Sequence, residues 1–127
     1  MKIDTVNTYD APLPAGHYSQ AIVAGNMIFV SGQIPVAPLT GDKIPGSIGD
    51  QTLQTLHNML NIVKAAGGDL HTIVKTTLFI TDINNWEEIN RVYADFFGST
   101  QPARSIVQVS NLYHGSKIEI EAIALTL

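Results

Sequence analysis

Two short apolar runs, Ala21-Ile22-Val23-Ala24 and Met27-Ile28-Phe29-Val30, flank a Gly25-Asn26 pair. Runs of this length around a Gly-Asn dipeptide predict a β-hairpin, because glycine accepts the positive φ that a two-residue turn requires. The apolar period then changes. Leu53, Leu56, Leu60 and Val63 recur at helical spacing and mark the buried face of a first helix. Ser47 and Asp50 stand three apart at its start as a capping box, and Gly67-Gly68 ends it. Residues 73–81 are rich in β-branched side chains and read as a strand. Asn85 with Glu88 predicts a second cap, followed by Trp86, Ile89, Tyr93 and Phe96 along one helix face, with Gly98 as the stop. Residues 105–110 read as a short strand and residues 117–127 as a longer one, on which Ile118, Ile120, Ala122 and Ala124 share a face.

The order is β-β-α-β-α-β-β, with a further strand expected at residues 2–6. Two amphipathic helices can cover one face of such a sheet. The other face, carrying Thr77, Phe79, Val107 or Ile106, and Ile123 with Leu125, needs a different cover. Association of copies into a closed ring is the simplest one.

Composition narrows the function classes. The chain has 127 residues, 45% hydrophobic and 14% charged, which suits one packed domain spanning residues 1–127. The net charge of −4 does not favour nucleic acid. The absence of cysteine excludes disulfides, thiolate nucleophiles and cysteine-held metals. No apolar run reaches the ~18 residues of a membrane span, and residues 1–10 do not read as a signal peptide. A soluble cytoplasmic protein is expected. Residues 35–49 hold three prolines and three glycines, Pro35, Pro38, Gly41, Pro45, Gly46 and Gly49, and form a long loop of the kind that is often functional.

The four histidines, His17, His57, His71 and His114, have no metal-ligand spacing, and no metal site is expected. No phosphate loop, dinucleotide fingerprint or serine nucleophile elbow is present. Of the two arginines, Arg91 falls mid-helix on the surface, whereas Arg104 follows Pro102-Ala103 at the entry to an apolar strand. A guanidinium there can grip a carboxylate through two parallel hydrogen bonds. A structural ion pair at a strand end is the commoner role for such a residue. Glu119 and Glu121 share a face of the last strand with Lys117. They are either its solvated side or a carboxylate beside a cleft, able to act on water as a general base. Tyr18 and Ser31 flank the hairpin and offer hydroxyls.

Six blocks stand in order: Gly16-His17-Tyr18-Ser19-Gln20, Ser31-Gly32-Gln33-Ile34-Pro35, Val74-Lys75-Thr76-Thr77, Asn90-Arg91-Val92-Tyr93 with Phe96-Phe97, Pro102-Ala103-Arg104-Ser105, and Ile118-Glu119-Ile120-Glu121-Ala122-Ile123-Ala124. Together, over residues 11–124, they closely resemble the RidA/YjgF family of reactive-intermediate deaminases. The resemblance implies a chorismate-mutase-like α+β fold, with a mixed sheet under two helices. It also implies a homotrimer with a central β-barrel and clefts between subunits. The implied reaction is hydrolysis of 2-imino acids or their enamine tautomers, such as 2-iminobutanoate and 2-iminopropanoate/2-aminoacrylate, to 2-keto acids and ammonia, with no cofactor. By position, Arg104 matches the arginine that binds the substrate carboxylate, and Glu119 the acid that positions or activates water. Tyr18 and Ser31 match cleft hydroxyls, Asn90 a helix asparagine near the site, and Gly32 and Ile106 supply backbone groups around the ligand. Three positions depart from the common pattern: His17 for proline, Ile106 for cysteine, and Tyr113-His114 for Pro-Lys. The competing readings are a non-enzymatic trimer that binds small carboxylates as a regulator or chaperone, and an endoribonuclease or translation inhibitor.

Overall fold

The hairpin joins Ala21–Ala24 (β2) to Met27–Gln33 (β3), and Gly25 supplies the positive φ of 64° that its tight turn needs. Residues 2–127 are described by the computed structural model. The expected N-terminal strand is Ile3–Val6 (β1), antiparallel to β2 in the register Val6↔Ala21. Ile73–Ile80 (β4) and Ile118–Leu125 (β6) are antiparallel neighbours. The short strand starts two residues earlier than its apolar run, at Ala103, and ends at Gln108 (β5). Parallel pairing with β4, from Lys75↔Ala103 to Ile80↔Gln108, draws Ala103 and Arg104 into the ladder and leaves Val109 and Ser110 outside it. The six strands run β1-β2-β3-β6-β4-β5.

The first helix is Ile48–Ala65 (α1), and its capping box forms in both directions between Ser47 and Asp50, each bond 3.2 Å long. Its buried stripe differs from the leucine spacing. Leu56, Met59, Ile62 and Val63 are buried, while Leu53 is 41% exposed and Leu60 only half-buried. Thr52, Thr55 and Asn58 are buried with them. They can be buried because their polar groups are satisfied. Thr52 donates to the Ile48 carbonyl at 2.7 Å and Thr55 to the Gln51 carbonyl at 2.8 Å. Asn58 donates to the Ile34 and Val36 carbonyls at 3.2 and 3.0 Å and so pins the start of the long loop to the helix.

The second helix is Trp86–Phe97 (α2), with Ile89, Tyr93 and Phe97 buried. Asn85 makes no side-chain cap bond; a 3₁₀ turn over Ile83–Asn85 feeds directly into the helix, held by the Asp82 carboxylate accepting from Asn84 N–H at 2.9 Å. Glu88 is used elsewhere, against the first turn of α1: a Cβ on Gly49 would come within 2.8 Å of its Oε1. Trp86 is 40% exposed and stands outside the core.

Both helices pack on one face of the sheet, over Ile28, Val30, Leu78, Ile118, Ile120, Ala122 and Ala124. The opposite face carries Phe29, Thr77, Phe79, Val107, Ile123 and Leu125, all partly or largely exposed. Val107 rather than Ile106 belongs to this face. Ile106 pairs with the buried Leu78 and packs against the core on the helix side. Among the described residues no helix is long and apolar enough to cross a membrane.

Candidate functional site

A break in the sheet builds the first half of the site. Val30 pairs with Ala122 and Gln33 with Ile120, so Ser31 and Gly32 together stand opposite Glu121 alone. This bulge re-aims the strand and returns Gln33 to the buried side. Gly32 then lies directly under the Glu119 side chain, and a Cβ at position 32 would come within 2.8 Å of the Glu119 Cδ. Only glycine permits this approach. Ser31 is fixed to the preceding segment, its Oγ donating to the Ser19 carbonyl at 2.6 Å and its N–H to the Gln20 carbonyl at 3.0 Å. Gln20, wholly buried, accepts from Thr8 N–H and donates to the Thr8 and Pro12 carbonyls, which ties the N-terminal loop in place. Tyr18 is held from the other side, its hydroxyl accepting from Ala15 N–H at 3.1 Å.

Tyr18, Ser31, Gly32, Glu119 and Glu121 line one cleft of about 810 Å³, with Leu39, Tyr113 and His114 also in its wall. The Tyr113 and His114 rings are stacked, with centroids 5.7 Å apart. Burial pushes the Glu119 carboxyl above the ordinary glutamate range, and the like charge of Glu121 adds to the effect. A carboxylate raised in this way is a better proton acceptor than a solvated one.

The second half lies around Arg104. Thr76 is its partner across the β4–β5 ladder, and Thr76 is buried beneath α2, where its Oγ1 is 2.7 Å from the Tyr93 hydroxyl. Arg104 therefore projects toward α2. Its guanidinium lies over the Tyr93 ring, 4.7 Å from the centroid, with the Trp86 ring at 5.8 Å. No carboxylate among the described residues comes within 4.0 Å of it; Arg91, by contrast, reaches Asp95 at 4.0 Å on the surface. The strand-end ion pair is thus absent, and the fork is uncommitted. Burial raises the Tyr93 phenol, against the opposing effects of Thr76 and the Arg104 charge. Asn90, Tyr93 and Arg104 line a second cavity of about 470 Å³ with Pro102 and the α2 terminus.

The two halves do not meet within one chain. Arg104 pairs with Thr76 and Glu119 with Phe79, and residues 76 and 79 project from opposite faces of β4. Tyr18, Ser31, Gly32 and Glu119 therefore gather in one cleft, Asn90 and Arg104 in another, and Ile106 lines neither. The Tyr93–Trp86 seat of Arg104 escaped the sequence reading, because aromatics at helical spacing signal core packing. The reason for Gly32 is equally tertiary.

Residues 8–126 match the family model described as Endoribonuclease L-PSP. A RutC family protein of Pyrococcus horikoshii is 48% identical over 121 residues, 95% of this chain and 96% of that protein. A 2-iminobutanoate/2-iminopropanoate deaminase of Rattus norvegicus is 43% identical over 120 residues, 94% of this chain and 88% of that one. Among solved structures, E. coli TdcF with bound serine superposes with a TM-score of 0.93 at 45% identity, covering 98% of this chain and 99% of that one.

Proposed function

The chain belongs to the RidA/YjgF family, and on that premise we propose that it hydrolyses 2-imino acids and their enamine tautomers to 2-keto acids and ammonia. Relatives that carry a deaminase name at about this identity support the reading. The observation that carries it is the uncommitted guanidinium of Arg104, half-buried over aromatic rings with no carboxylate of its own among the described residues. An arginine in that state is set to receive a carboxylate from outside, bidentately.

The chemistry follows from the parts. Arg104 anchors the substrate carboxylate and fixes the adjacent C=N carbon. Glu119, as carboxylate, takes a proton from water while the oxygen bonds to that carbon. The carbinolamine then collapses: Glu119 returns its proton to the amine nitrogen, the hydroxyl oxygen's electron pair forms the C=O bond as the C–N bond breaks, the C–N pair leaves with ammonia, and the hydroxyl proton passes to the Glu119 carboxylate and from there to solvent or the departing ammonia. The iminium carbon is already electrophilic, so orienting water and substrate supplies most of what is needed. Tyr18, Ser31, Gly32 and Asn90 line the two halves, and Ile106 lies two residues beyond Arg104 on the same strand face.

Because Arg104 and Glu119 project from opposite faces, one small substrate reaches both only where two copies meet. The open apolar face around Phe29, Phe79, Val107 and Ile123 offers the surface for that association. In this reading the assembly is a homotrimer, each of whose clefts joins the Arg104 half of one copy to the Glu119 half of the next. The test is a coupled assay in which a dehydratase generates 2-iminobutanoate or 2-aminoacrylate. Keto-acid and ammonia release above the spontaneous rate is expected; release at the spontaneous rate at every protein concentration would reject the activity.

A further inference from the structure

The seat of Arg104 has a feature that an ion pair would lack. A carboxylate partner would hold the guanidinium but would also occupy its donors and cancel its charge. An aromatic face holds the cation through the ring quadrupole and takes none of the N–H groups. Tyr93 is built to be such a face. Its hydroxyl meets Thr76 at 2.7 Å, and its ring packs on Phe97 at 4.5 Å, which in turn meets Phe96 edge-on at 5.3 Å. The ring is buried and packed on Phe97 in a tilted contact, so it is a fixed surface under a long and otherwise mobile side chain.

We propose that Tyr93 is the positioning residue of the carboxylate grip: its ring, buried against Phe97, holds the Arg104 guanidinium in place while leaving the fork free for substrate. The proposal deepens the reading that Arg104 binds the substrate carboxylate, and it rests on that reading. Trp86 is the second ring, farther from the guanidinium and exposed on its other side. Tyr93 does not touch the reacting atoms. It acts through Arg104 by reducing the freedom that the side chain would otherwise lose on binding.

The ligand-free protein already reports on the seat. With two arginines in the chain, a ¹⁵N spectrum contains two side-chain Nε–Hε signals, and Arg104→Ala assigns them. The Arg104 signal is expected to be shifted upfield by ring currents relative to Arg91. It should stay shifted in Tyr93→Phe, which keeps the ring, and collapse toward the Arg91 position in Tyr93→Leu. Titration with 2-oxobutanoate should then show a roughly 5- to 30-fold weaker Kd for Tyr93→Leu, the range of a partly desolvated cation–π contact. Tyr93→Phe should stay within about threefold of the parent, since it retains the face. If Tyr93→Leu does not fold, the parent spectrum and exposed Trp86→Leu, expected to shift the same signal less, still decide the matter. An Arg104 signal that coincides with Arg91 in the parent, or unchanged affinity in folded Tyr93→Leu, overturns the proposal. Unchanged affinity in Arg104→Ala would instead overturn the carboxylate reading, whatever the spectrum shows.

Discussion

Glu119→Gln separates turnover from binding. Glutamine keeps the volume and one acceptor oxygen, so it can still lie over Gly32, but it cannot take a proton from water. Keto-acid product, held at the Arg104 half, should bind with nearly the parent affinity. Hydrolysis of the imine should fall by roughly 10²–10⁴-fold, the usual contribution of a positioned general base. The loss tends toward the lower end because the substrate carbon is activated before it arrives. Glu119 is half-buried and its pKa is raised, first by desolvation and then by Glu121. The base form is therefore lost at a higher pH than for a solvated glutamate, and the acid limb of kcat/KM should lie above the ordinary carboxylate range. Glu121→Gln removes only the smaller cause. It should lower that limb slightly while leaving the rate on the plateau within a few-fold. The same shift acts on stability. The folded chain holds the Glu119 proton more tightly than the unfolded chain does, so ionised Glu119 costs stability above its folded pKa, and the cost vanishes below the unfolded value. Glu119→Gln should accordingly raise Tm at neutral pH and leave it unchanged near about pH 3, below the reference glutamate pKa of about 4.3. Rate, product affinity and Tm measured on both variants check all of this. Equal loss from the two substitutions, or none from either, would return Glu119 to a solvated strand face and favour a carboxylate-binding protein without turnover.

Arg104→Ala should abolish both imine hydrolysis and 2-oxobutanoate binding with the assembly intact, and Arg104→Lys should recover little, because an ammonium cannot reproduce the planar fork; turnover and calorimetry would show it. Gly32→Ala should leave Tm within a few degrees but cut activity by at least tenfold, on the order expected when a catalytic group is displaced by about 1 Å, since the new methyl must push the Glu119 carboxylate aside. Sedimentation or light scattering at micromolar concentration should give three times the mass of one chain; a stable monomer with full activity would refute a site shared between copies.

The features that could be read from the sequence are those whose cause is local. The Gly25-Asn26 turn, the Ser47–Asp50 box and the alternation along Ile118–Leu125 each depend on a few adjacent residues, and each appears as expected. The features that could not be read depend on partners distant in the chain. Asn85 is a good cap residue, but Asp82 starts a tighter turn first and leaves it without a cap bond. Leu53 has the right spacing for the core, yet Thr52, Thr55 and Asn58 are buried in its stead, because main-chain carbonyls satisfy them. Trp86 and Tyr93 read as packing residues, and only the parallel pairing of β5 with β4 brings Arg104 over them.

The same pairing sets the face of the sheet on which each candidate site residue lies. Position along a strand sets the face from which a side chain projects, but the face acquires meaning only from what covers it. Arg104 faces α2 and Glu119 faces the uncovered side, so the Glu119 cleft and the Arg104 cavity lie on opposite faces of the sheet. A chain built this way carries all the groups of the proposed reaction and, alone, no point from which a molecule the size of an amino acid can touch both. Association would then do two things at once. It would bury the apolar face that the helices leave open, and it would bring one copy's uncommitted guanidinium toward another copy's raised carboxylate. Activity in this reading is a property of the interface, and substitutions on the open face should reduce turnover in step with the loss of assembly, even where they touch neither Arg104 nor Glu119.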